Sequence, residues 1–276
     1  MEDTLGKSLD KADIVADLDE VWSRLLEVGE EIAESKWSNA TSCPGWSIKD
    51  NFAHVIGTEL SLLGMATPNS DQIDRSIVKN PIGEMNQQWI ESMRGWSKRE
   101  VLDKLAWVAE ERKAAIEKMD QEEFMKLGPS PVGEAPYARF MQIRIFDCYM
   151  HEQDIRQAAS LDFYDQGGAA EVSLHESISG MGFVVGKKAK AEKGSVVRFR
   201  ITGGQQSAFD VVVQEKATLD FNLTSEPTTT LEVGFIEFTR LIGGRKDGGA
   251  DYESRIKVSG DLELGSRVVG SLNFLI

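Results

Sequence analysis

The sequence predicts a two-domain α+β protein, a helical bundle over residues 1–160 followed by a smaller α+β domain over 161–276. Three observations support this. Up to about residue 160, apolar residues recur at mixed three- and four-residue spacings, the mark of amphipathic helices. Beyond it, short runs of strand character alternate with helical stretches, which is the pattern of a mixed domain. The chain of 276 residues, 41% hydrophobic, is long enough to bury two modest cores.

The first helix spans Ala12 to Ala33, with Ile14, Leu18, Trp22, Leu25, Leu26, Val28 and Ile32 along it. The turn-rich segment TSCPGWS ends it. Ser47 then caps a second helix running through Leu63, which carries Phe52, Val55, Ile56 and Leu60. A looser region follows from Pro68 to Pro81, and helical spacing resumes over Gly83–Gly95 and Lys98–Met119. Gly128, Pro129, Pro131, Gly133 and Pro136 break regular structure, so a loop is expected there, leading into a helix from Tyr137 to Ala158.

After the linker SLDFYDQGG the pattern predicts a helix over Ala169–Lys190 and strands over Ser195–Thr202, Ala208–Gln214 and Ala217–Thr224. A helix from Thr228 to Ile242 is expected next, stopped by Gly243 and Gly244. One more strand, Arg255–Ser259, and a capped helix within GDLELGSRVVGSLNFLI complete the chain.

The formal charge of -14 argues against nucleic acid and anionic membrane surfaces as partners. The N-terminus is acidic with no apolar stretch of a secretory signal, no run approaches the roughly 20 residues that span a bilayer, and the expected location is cytoplasmic. The two cysteines, Cys43 and Cys148, are too few for a disulfide framework, and their apolar neighbours predict inert, buried thiols.

The segment RIFDCYMHEQDIR carries the most chemistry. Asp147 and His151 are four residues apart, which stacks them on one face of a helix. His54 lies on another helix of the same bundle, and metal sites in bundle cores draw ligands from facing helices. Two imidazoles and one carboxylate suit zinc, nickel, iron or cobalt and leave a coordination position open. The alternative is that a carboxylate four residues before a histidine marks an exposed helix face. Against it, the sequence has only three histidines and two of them lie among apolar residues: Phe52, Val55 and Ile56 around His54; Phe146, Tyr149, Met150 and Ile155 around His151. His175 has no such partners.

The segment SCPGWSIKDNFAHVIGTE, followed by RIFDCYMHEQDIRQA, resembles the mycothiol-dependent maleylpyruvate isomerase family, within the DinB-like superfamily of metal-binding helical bundles. The resemblance covers essentially the whole chain. It implies a DinB-like four-helix bundle followed by a smaller α+β sterol-carrier-like domain, with His54, Asp147 and His151 as metal ligands. The carboxylate position, glutamate in the family's best-known member, is aspartate here. The resemblance further implies a divalent metal, zinc by expectation, and mycothiol or another small thiol as cosubstrate.

Coordination to a divalent cation deprotonates a thiol, so an open position on such a metal suits a small thiol that attacks an electrophile. Arginines are the natural partners of a substrate carboxylate. Arg144, one turn before Asp147, is one candidate. Arg240 and Arg245 are others, at the end of a second-domain helix that could close over the site. For Arg144 and Arg156 the competing reading is pairing with bundle carboxylates. Trp46 reads as a core anchor at the helix start, with a pocket-lining role left open by the resemblance. Two functions follow: a metal- and thiol-dependent isomerase or S-transferase acting on a small electrophile, or a non-catalytic protein that binds a metal or an apolar ligand on the same scaffold.

Overall fold

The computed structural model of the protein describes residues 9–245 and 253–275; the acidic residues 1–8 and Ile276 lie outside them. The chain divides into two compact units, the first ending at Phe163 and the second beginning at Tyr164. Helices α1 (Lys11–Glu31), α2 (Ile48–Leu62), α3 (Pro81–Ser92), α4 (Lys98–Lys118) and α5 (Gln121–Phe124) come first, then a hairpin of β1 (Leu127–Ser130) and β2 (Gly133–Pro136), then α6 (Tyr137–Ala159).

The first unit is a four-helix bundle. α1 packs on α4 and α6, and α2 packs on the same two helices from the other side, with α3 flanking α2. Ile14, Leu18, Val21, Trp22, Leu25 and Val28 of α1 are buried, the inward stripe that its spacing predicts. α2 begins where its sequence says it should: the Ser47 side chain accepts from Asp50 N, and the Asp50 side chain accepts from Ser47 N. Ser97 and Glu100 close the same reciprocal box on α4. The segment expected as a loop before α6 is instead the β1–β2 ribbon, paired from Leu127↔Pro136 to Ser130↔Gly133. The prolines that forbid a helix there are compatible with an extended two-stranded ribbon.

The second unit opens with α7 (Gly167–Ser179) and α8 (Met181–Phe183), which runs into a π-helical turn over Val184–Lys188. The single helix expected over Ala169–Lys190 is therefore broken at Gly180, where a Cβ would come within 2.0 Å of the Phe274 ring. A five-stranded sheet follows in the order β5-β4-β3-β6-β7, built from β3 (Val196–Thr202), β4 (Ser207–Val213), β5 (Ala217–Asp220), β6 (Thr229–Gly234) and β7 (Lys257–Gly260). β3 and β6 are parallel and the other pairs antiparallel. α9 (Phe235–Ile242) and α10 (Leu262–Val269) complete the unit.

The expected helix over Thr228–Ile242 is half strand. Thr229, Leu231 and Val233 are buried while Thr230, Glu232 and Gly234 are half-exposed, a period of two that belongs to β6. Only Phe235 onward is helical. The core of this unit is aromatic: Phe199 of β3 stacks on Phe209 of β4 with centroids 4.9 Å apart, and Phe238 of α9 approaches Phe199 at 6.2 Å. On the neighbouring register position Arg198 donates to both carboxylate oxygens of Asp210 at 2.7 and 2.9 Å. Among the described residues no helix is long and apolar enough to cross a membrane.

Candidate metal centre

Three segments of the first unit converge on one spot. α2 supplies His54, α6 supplies Asp147 and His151, and the turn before α2 supplies Cys43 and Trp46. The turn follows from CPGW itself. Trp46 N donates to Cys43 O at 3.0 Å, Pro44 takes the second position, and Gly45 adopts φ +79 at the third, the left-handed conformation that glycine tolerates. An antiparallel bridge between Ala40 and Ser47 closes the loop and leads into the α2 cap.

Nε2 of His54 lies 3.1 Å from Oδ2 of Asp147, and Nε2 of His151 lies 3.5 Å from Oδ1. One ligand atom from each of the three residues falls within 4.8 Å of the others. A tetrahedral ion with bonds of about 2.1 Å separates its ligands by roughly 3.4 Å, and the histidine-to-carboxylate spacings are of that order. Both histidines are buried and Asp147 is half-buried, so the cluster opens to solvent on the carboxylate side. The imidazoles meet edge to face with centroids 4.6 Å apart. The half-buried Trp46 ring lies against both, 5.1 Å from His54 and 5.7 Å from His151.

The far nitrogens of the two rings differ. Nδ1 of His151 is 2.7 Å from Oδ1 of Asn51, an acceptor that keeps a proton on Nδ1 and leaves Nε2 facing Asp147. Asp154 Oδ2 lies 3.5 Å from the same Nδ1, and Cys43 Sγ donates to Asp154 Oδ2 at 3.2 Å. Nδ1 of His54 is buried without a partner among the described residues, so Nε2 is the atom this ring offers to the cluster.

Among the protein groups alone, burial drives His54 below the usual imidazole range against the pull of Asp147. Burial opposes charge on His151 too. The Asp147 carboxylate and hydrogen bonds to Asp147, Asp154 and Cys43 outweigh it and hold this ring well above that range. Burial would raise Asp147, but Arg144, His54 and His151 together hold it well below the usual carboxylate range. An anionic carboxylate between two imidazoles, one readily charged, is a local environment in which a cation can replace a proton.

A model of the mycothiol maleylpyruvate isomerase N-terminal domain matches residues 18–156. The chain belongs to that family. Among solved structures, the mycothiol-dependent maleylpyruvate isomerase is similar at 12% identity and a TM-score of 0.57, over 91% of this chain and 93% of that one. A histidine-to-alanine variant of that enzyme is similar at 11% identity and a TM-score of 0.56 over the same shares. At such identities the likeness shows the fold. The sterol carrier protein 2 like 2 of Aedes aegypti matches at 21% identity and a TM-score of 0.29, over 36% of this chain and 96% of that one. No relative among curated proteins matches the sequence significantly.

The family's expected trio therefore stands together in this member, and the arginines divide. Arg144 is buried and bonded to Glu59 and Asp147. Arg156 bonds Glu152 at 2.7 Å, the carboxylate pairing that the sequence offered as one reading. Arg240, fully buried, and Arg245, which donates to Gly243 O at 2.7 Å, belong to the second unit, whereas the three histidine and carboxylate groups belong to the first. One expectation is corrected. Cys43 is not an enclosed apolar thiol but half-buried and bonded to Asp154, because the Pro-Gly turn aims it inward at α6. Cys148 is buried as expected, and burial pushes its thiol well above the usual range.

Sequence reasoning missed Asn51, Glu59 and Asp154 as neighbours of the site. A signal existed: Arg144, Asp147, His151 and Asp154 recur at spacings of three, four and three, a polar stripe along one face of a helix otherwise buried in the bundle.

Proposed function

We propose that this protein is a cytoplasmic, metal-dependent enzyme that uses a small thiol, by family mycothiol, to isomerise or S-conjugate a small electrophilic acid. The observation that carries the reading is the convergence of His54, Asp147 and His151 at spacings that suit a single divalent ion, in a member of a family named for a thiol-dependent isomerase. These three residues would hold the metal, with a donor set that suits zinc as well as nickel, iron or cobalt and zinc as the expected ion. When bound, it supplies the Lewis acidity that keeps a thiol deprotonated near neutral pH.

The chain's own residues do the rest. Two neutral imidazoles and one carboxylate leave one positive charge on a divalent centre, which a thiolate cancels. Asn51 holds His151 in the tautomer that presents Nε2. Trp46 shields the imidazoles with an apolar wall, which lowers the local dielectric and strengthens attraction for an anionic sulfur. A thiolate adds to a carbon–carbon double bond conjugated to a carbonyl, and the former double bond can then rotate. Expulsion of the thiolate restores the double bond as the isomer, while retention and protonation give the conjugate.

Elemental analysis of the full chain tests the reading. The wild type should carry about one divalent ion per chain, and the His54→Ala, His151→Ala double variant should lose it. Maleylpyruvate with mycothiol should be consumed by the loaded wild type alone, followed by ultraviolet absorbance. A wild type that takes up no metal after reconstitution would sink the proposal.

A further inference from the structure

Four charged side chains run in a line through the bundle toward the site. Arg112 of α4 donates from Nε to Glu59 Oε2 of α2 at 2.9 Å. Arg144 of α6 donates from Nε and Nη2 to Glu59 Oε1 at 3.1 and 2.8 Å. Nη1 of Arg144 then reaches Oδ2 of Asp147. The side chains of Arg112, Glu59 and Arg144 are 1%, 1% and 4% exposed, against 32% for Asp147. Three of the four are thus shut away from solvent and only the last meets the site.

Stability does not account for such an array, because buried ion pairs are often no better than well-packed apolar residues of the same volume. Substrate binding by Arg144 does not account for it either. All three of its nitrogens are engaged within the bundle, Nη2 also lying 3.4 Å from Cys148 Sγ. What the geometry does explain is orientation. A guanidinium is planar and rigid, so an edge fixed on Glu59 fixes the direction of Nη1. Arg112, itself held by Tyr137 Oη at 2.8 Å, keeps Glu59 from turning. Among the described residues, the other side chains that meet the half-exposed Asp147 carboxylate are the two imidazoles, which do not form a fork of this kind.

We propose that Arg144, clamped by Glu59, is the positioning residue of Asp147: it takes one lone pair of Oδ2 and thereby presents the rest of the carboxylate to the metal held with His54 and His151. The proposal rests on the reading of Asp147 as a ligand. It predicts that the clamp acts on metal affinity through Asp147 and through nothing else.

The experiment is a titration of the metal-free full chain with Zn2+ by competition against a chromophoric chelator, with Co2+ as a spectroscopic probe of the ligand set. Arg144→Met should weaken Zn2+ binding roughly 10- to 100-fold, the range found when partners behind metal ligands are removed, and should alter the visible Co2+ spectrum. Arg144→Lys keeps the charge without the fork and should remain weakened. In an Asp147→Ala background, Arg144→Met should cause no additional loss, the non-additivity of residues acting as one unit. If Arg144→Met does not fold, as judged by circular dichroism, Glu59→Gln carries the test, since it keeps the shape and weakens the clamp by removing its charge and one of its two acceptor oxygens. Unchanged Zn2+ affinity and Co2+ spectrum in a folded variant, or an equal loss with and without Asp147, overturns the positioning role while the metal reading stands. A wild type that binds neither ion overturns both.

Discussion

The inner faces of α2 and α6 and the sheet of the second unit bury their side chains in opposite ways. Between the helices lie Asn51, His54, Glu59, Arg144, His151 and Asp154, all buried, with Arg112 joining from α4, while Glu152 of α6 pairs with the buried Arg24 of α1. Among the described residues of the second unit the buried ionisable groups are Asp210 and Arg240, and the core is otherwise Phe199, Phe209, Phe235 and Phe238 with aliphatic neighbours. The hydroxyls buried there, such as Ser173, Ser177 and Thr239, donate back to carbonyls of their own helix. Buried charge is tolerated only when it is paired and hydrogen-bonded, so a region that concentrates it is organised around something other than packing. In the first unit that is the cluster of His54, Asp147 and His151.

Truncating one member of the charged line should give the largest effect. Glu59→Ala leaves two guanidinium groups facing a void, and unfolding by denaturant should show a loss of about 3–5 kcal/mol in the first unit. A smaller loss, within the range of surface substitutions, would mean that water or a rearranged partner replaces Glu59 and that the two regions tolerate charge alike. Phe209→Ala removes one half of the stacked pair in the second unit and should cost about 3–4 kcal/mol by cavity formation. Its metal content should equal that of the wild type, since Phe209 and the three proposed ligands lie in different units.

Further down the scale, Ser47→Ala deletes one half of the α2 capping box and should cost about 1 kcal/mol in thermal or chemical unfolding. The remaining partner, Asp50, is still held by Arg94 at 2.7 Å, which limits the damage. The least perturbing probe is alkylation of the native protein. Iodoacetamide should label Cys43, which is half-buried, and spare Cys148, which is enclosed and whose thiol burial holds protonated. Mass spectrometry reads the sites, and labelling of both thiols at equal rates would contradict the enclosure of α6.

The legibility of the site followed the range of the contacts. Asp147 and His151 share a helix, so their common face could be read from a spacing of four. Their meeting with His54 was carried by the family motif and by the rarity of histidine, not by local geometry. Cys43 differs from expectation because Pro44, Gly45 and Trp46 follow it in sequence, whereas its neighbours in space are the polar Asn51, His151 and Asp154. Trp46 reads as a core anchor at the helix start with a pocket-lining role left open, and its ring lies against both imidazoles. In the second unit the pattern over β6 reads as helix because Leu231 and Val233, followed by Phe235 and Phe238, offer apolar residues that satisfy either period over so short a run.

The sequence by itself determined what depends on a few neighbouring residues: the amphipathic stripes of α1, α2, α4 and α6, the capping boxes at Ser47 and Ser97, the Pro-Gly turn of CPGW, and the shared face of Asp147 and His151. The tertiary structure decided what depends on residues far apart along the chain. It set Glu59 against Arg112 and Arg144, placed Cys43 beside His151, and committed Thr229–Gly234 to a parallel pairing with β3. The reason is physical: periodicity and capping are properties of a single turn or strand, whereas the partner of a buried charge is selected by packing, which no local pattern encodes.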